Sequence, residues 1–124
     1  MRKTFVEIRV QVLDANGSPA DLRRVKAEIT TRPPQGEPHA QAMQLMLPHG
    51  PGPESLSGES AKMPDGRSVR VQLVAPAGPF ETPPGPSAYF KADREWPAGA
   101  DELPATLKLS SPEGESKVEL RLKK

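Results

Sequence analysis

The sequence predicts an all-β fold, a single antiparallel β-sandwich of about seven short strands. Three observations predict it. Apolar residues stand at every second position in several runs, first at Val6, Ile8, Val10 and Val12. Side chains alternate along a strand, so such a run buries one face and wets the other. Turn residues cut each run off, beginning with Asp14-Ala15-Asn16-Gly17-Ser18-Pro19. The 16 prolines fall between the alternating runs, where a residue with no amide proton does not break a ladder.

The first strand is expected over 4–13, with Glu7, Arg9 and Gln11 on its wet face. A second spans 23–31, where Val25, Ala27 and Ile29 alternate. A helix over 20–27 would rest on Leu22 and Val25 alone, too little for a 3.6-residue period. The third, 41–47, places Met43, Leu45 and Leu47 on one side and Met46 on the other, and a short helix is its alternative. The fourth, 67–75, follows the turn Pro64-Asp65-Gly66 and alternates Val69, Val71 and Leu73 with Arg70 and Gln72. A fifth is placed at 87–93.

The last two, 105–110 and 116–123, make a hairpin with Leu107 and Leu109 on one strand and Val118, Leu120 and Leu122 on the other. Ser111-Pro112-Glu113-Gly114-Glu115 turns the chain between them, Gly114 being free to take a positive φ. Residues 32–40, 48–64 and 76–86 form long proline-rich loops. The whole chain, 1–124, reads as one immunoglobulin-like sandwich domain without internal repeats.

Composition narrows the function. Lys plus Arg number 17 and Asp plus Glu 16, a formal net charge of +1, which lacks the basic excess of nucleic-acid binders. The basic groups Arg23-Arg24-Lys26 and Arg121-Lys123-Lys124 alternate with or adjoin apolar residues and read as wet strand faces. There is no cysteine, so disulfides are excluded and a reducing compartment fits. The apolar run at 5–13 is broken by Glu7, Arg9 and Gln11, which makes neither a signal-peptide core nor a membrane span. The expected location is the cytoplasm, or an intracellular assembly, with no signal peptide and no membrane contact.

Chemistry is sparse. The two histidines, His39 and His49, lie in proline- and glycine-rich loops, and Ser55, Ser57 and Ser60 near His49 have no nucleophile elbow around them. Two isolated histidines cannot close a zinc site. In Asp14-Ala15-Asn16-Gly17 the glycine comes too early for an EF-hand calcium loop, and sandwich carboxylates such as Asp93, Asp101 and Glu102 are the remaining candidates for calcium. Gly50 and Gly52 precede no lysine and open no phosphate-cradling helix. No enzyme, no cofactor and no metal are expected.

One concentration of residues stands out. Phe80, Tyr89, Phe90 and Trp96, four of the five aromatics, fall close together among prolines 79, 83, 84, 86 and 97. Exposed aromatics give rigid contact area at low entropic cost, which makes Phe80, Tyr89 and Trp96 the candidate binding residues. The alternative is that these rings fill the core. Tyr89 and Phe90 are neighbours on a strand, so at most one of them points inward.

The segment Val10-Gln11-Val12-Leu13-Asp14-Ala15-Asn16-Gly17-Ser18-Pro19, followed by Val25-Lys26-Ala27-Glu28-Ile29, resembles the opening of transthyretin-like and carboxypeptidase-regulatory-like sandwiches. There, a strand ends in D-x-x-G-x-P and a second alternating strand follows. The likeness covers residues 10–29, implies a non-catalytic accessory or interaction module, and brings no functional residues with it. The expected function is therefore a non-catalytic interaction or structural module that binds another protein or a multi-subunit assembly. A carbohydrate-binding module stacking sugars on Tyr89 and Trp96 is the alternative, and an enzyme accessory domain the third.

Overall fold

The computed structural model of the chain describes residues 4–17, 20, 22–34, 36–46, 59–74, 88–97 and 99–123. These form nine strands and no helix: β1 (Thr4–Leu13), β2 (Lys26–Thr31), β3 (His39–Ala42), β4 (Gln44–Met46), β5 (Glu59–Lys62), β6 (Ser68–Val74), β7 (Tyr89–Trp96), β8 (Glu102–Ser111) and β9 (Gly114–Lys123). All pairings are antiparallel. One sheet runs β4-β7-β1-β6-β5 and the other β3-β2-β8-β9. The sheets face each other across one hydrophobic core.

The alternation places the core as expected. Val6, Ile8, Val10 and Val12 of β1 lie at the centre of one inner face, with Phe90 and Ala92 of β7 and Val69 of β6 beside them. Ala27 and Ile29 of β2, Leu103, Ala105, Leu107 and Leu109 of β8, and Leu120 and Leu122 of β9 meet them from the other sheet. Burying a side chain of this size contributes roughly 1.5–3 kcal/mol, so the two inner faces, taken together, are what holds the layers.

Nine strands replace the seven expected, for two reasons. The segment 41–47 is not one strand, since β3 belongs to one sheet and β4 to the other. The chain crosses between them at Met43, whose side chain is buried while its amide donates to the Ala27 carbonyl at 2.9 Å. The second is β5, which falls inside the expected loop 48–64. Its inward residue opposite Val69 is only Ala61, too little apolar signal to register as alternation.

Boundaries shift for local reasons. β2 starts later than expected because the chain turns at Arg23 and Arg24, with the Val25 amide bonded to the Leu22 carbonyl at 3.1 Å. β8 starts earlier and includes Pro104. The carbonyl of Pro104 accepts from the Arg32 amide at 3.0 Å, on the β2 side. The missing N–H therefore also faces β2 and gives no return bond to Arg32, just past the pair Thr31 and Ala105 where the pairing of β8 with β2 ends.

The turns follow their sequences. Pro64, Asp65 and Gly66 join β5 to β6 with Gly66 at φ 97°, and the Gly66 amide bonds the Met63 carbonyl at 3.1 Å. This is a type I turn closed by a glycine bulge. Pro112 and Glu113 alone separate the paired residues Ser111 and Gly114, and Gly114 takes φ 142°.

The expected wet face of β1 is corrected by the structure. Glu7 and Gln11 are each 1% exposed. β1 is the middle strand of its sheet, flanked on both sides, and Glu7 on its outward face pairs with Arg9 of the same strand and Lys91 of β7.

Candidate functional site

The three candidate binding residues do not come together. Tyr89 and Trp96 stand at the two ends of β7 and project from opposite faces of the sheet, and Phe80 lies outside the described residues. Trp96 belongs to the core, 4% exposed, and its indole N–H donates to the Ala100 carbonyl at 2.6 Å. Tyr89 is 2% exposed on the outer face, while its neighbour Phe90 fills the core. Neither ring presents an open face for stacking.

Around Tyr89 is a buried polar cluster. The Arg9 guanidinium lies over the Tyr89 ring, 5.6 Å from its centroid, within cation–π range. Arg9 donates through Nε to the Glu7 carboxylate, and the Lys91 ammonium stands 3.8 Å from the same carboxylate. Burial raises the Tyr89 hydroxyl above its ordinary pKa of 10.0, with Arg9 pulling it down and Glu7 pushing it up. Asp93 of β7 stands opposite Glu7 in the ladder.

The remaining chemical candidates stay apart. His39 is exposed at the start of β3, and His49, Ser55, Ser57, Gly50 and Gly52 lie outside the described residues. Asp14 closes its own turn, its carboxylate accepting from the Asn16 amide at 2.9 Å. Among the described residues, no three of His, Asp or Glu gather in a way that could hold a metal ion.

A different feature commands the surface. Three sheet edges are short: β4 has 3 residues, β3 has 4 and β5 has 4. The fourth, β9, runs for 10 residues, and among the described strands it pairs only with β8. The direction of its backbone groups can be assigned. The Pro104 groups point toward β2, so the Pro104–Arg121 pair is not hydrogen-bonded, and Arg121 turns its N–H and C=O to the open side. By alternation Glu115, Lys117 and Glu119 do the same.

The side chains of those four residues and of Lys123 form the charged outer face of β9, while Ser116, Val118, Leu120 and Leu122 face inward. Beside the open edge, between β9 and β5, lies a cleft of about 230 Å³ whose apolar members are Ala61, Val71 and Leu120 and whose charged members are Glu119, Arg121 and Lys123. At one end of this side the Ser116 hydroxyl donates to Asp65 at 3.0 Å. Asp65 also accepts from the Arg67 side chain and amide, and these bonds hold its carboxyl at about 2, below its ordinary 3.8.

That the seventh predicted strand, 116–123, exists was legible in its alternation. That it is an edge was not, because strand order is set by pairing between distant segments. Comparison of the chain with known protein families, with curated proteins and with solved structures finds no match in any of the three.

Proposed function

We propose that this chain is a non-catalytic interaction module, an immunoglobulin-like sandwich that binds a protein partner or seats itself in an assembly through the open edge of β9. The observation that carries the reading is the ten-residue edge strand with a part-apolar cleft beside it. An unpaired edge is a template for another strand: its main-chain groups supply affinity, and a neighbouring cleft takes alternate side chains. The three crossings of the chain between sheets, β1 to β2, β3 to β4 and β7 to β8, support the immunoglobulin-like description. The resemblance of residues 10–29 to transthyretin-like sandwiches agrees in kind with a module of this sort.

A photo-crosslinking residue placed at position 123, on the rim of the cleft, tests the reading in the cells that make the protein. The same residue at position 40, on the short edge strand β3, is the control. Covalent adducts from position 123 and none from position 40 are expected. Equal yields at both, or none at either, would discard the β9 edge as the binding surface.

A further inference from the structure

The charges along β9 have an order that bears on which strand it receives. From the turn onward, the outward side chains read Glu115, Lys117, Glu119, Arg121, Lys123. Turned end for end and laid antiparallel against itself, with Val118 on the two-fold axis, this strand sets Glu115 against Arg121 and Lys117 against Glu119. Every opposed charge is of opposite sign, and symmetry makes each pair twice. Sliding the register by two residues one way opposes Lys117 to its own copy, and the other way opposes Glu119 to its own copy.

From this complementarity we infer that the occupant of the β9 edge is the β9 edge of a second copy of this chain, in the register centred on Val118. The inference rests on the reading of β9 as the binding edge and adds the identity of the partner. The backbone agrees with it. Residues of odd number carry the outward N–H and C=O groups, and in this register odd residues oppose odd residues, so donors meet acceptors. A two-fold axis perpendicular to the sheet also keeps inner faces on the same side. Val118, half-buried at the margin of the core, is then covered by its own copy, and the two four-stranded sheets join into one. Charged residues on an edge ordinarily discourage pairing, yet here they discourage every partner register except the one that matches them.

Sedimentation equilibrium of the full chain should show a concentration-dependent dimer. Glu119→Lys puts two lysines face to face on each side of the axis and should weaken association by about tenfold or more, since like charges directly opposed on neighbouring strands are destabilising. The double variant Lys117→Glu with Glu119→Lys restores opposite signs in the same register and should regain dimerisation. Thermal melting of each variant separates loss of pairing from loss of fold.

Register has its own readout, because the chain carries no cysteine. Val118→Cys places two thiols directly opposite, with Cα atoms about 4.5 Å apart in a non-hydrogen-bonded pair, within disulfide reach. Ser116→Cys places its two copies about 13 Å apart along the strands and should not crosslink. A chain that stays monomeric at all concentrations overturns the inference. So does a dimer indifferent to Glu119→Lys, or one that crosslinks as readily through position 116 as through 118. Monomer together with adducts to another protein from position 123 defeats self-pairing alone. Monomer with no such adducts defeats the binding-edge reading as well.

Discussion

At the scale of single residues, the structure separates two kinds of polar side chain that alternation treats alike. Arg9 is 13% exposed at its side chain, against the 2% of its partner Glu7. Removing one member of a buried pair leaves the other charge uncompensated. Arg9→Asp, which sets another carboxylate beside Glu7, should cost at least about 3 kcal/mol in urea unfolding. The same change at exposed Arg24 should stay within about 0.5 kcal/mol. Equal effects would mean that the cluster is not held as described. Trp96→Ala should lose about 3–5 kcal/mol, for it empties part of the core and removes the donor to Ala100. The valines of β1 were readable from spacing alone, whereas the burial of Glu7 and Gln11 was not, since period-two logic knows one buried face and these two occupy the other.

At the scale of elements, propensity and turn chemistry located what local signal could locate. The hairpin of β8 and β9, the turn at Pro64-Asp65-Gly66 and the whole of β1 were legible. β5 was hidden because its pairing with β6 depends on backbone hydrogen bonds more than on apolar side chains. The split at Met43 was hidden because a strand that changes sheets keeps its composition while its neighbours change. The turn between β5 and β6 carries a pH-dependent element. The Asp65 carboxyl titrates at about 2 in the fold and at an ordinary 3.8 otherwise. Its contribution to stability is therefore complete above the higher value and is lost as pH falls toward the lower one. Because Asp65 and its partner are partly solvated, that contribution is small. Chemical denaturation of Asp65→Asn between about pH 5 and pH 2 should give a curve flatter than that of the parent chain, and parallel curves would exclude Asp65 as the titrating group.

At the scale of the whole molecule, strand order governs how the fold is reached. β1 pairs with β6 and β7, both far along the chain, so its two ladders close only after long segments have been gathered. Folding dominated by such distant pairings takes roughly milliseconds to seconds. Stopped-flow fluorescence of Trp96, the sole tryptophan, should report a rate in that range, and a microsecond phase carrying the whole amplitude would contradict the topology. The two long sides of the sandwich also differ in how they are fastened. On one, the chain itself passes from sheet to sheet through Met43, with the Gln41 side chain donating to the Asp93 carbonyl at 3.1 Å and Arg94 donating to Thr31 at 3.0 Å. On the other, β5 lies beside β9, and the hydrogen bond described there is the one from Ser116 to Asp65. Such an arrangement opens like a book along its fore-edge, with the Met43 side as the spine. Amide exchange should accordingly run fastest in β5 and slowest in β1, β2 and β8, and acid should quicken β5 first, as Asp65 takes up its proton and the clasp lets go.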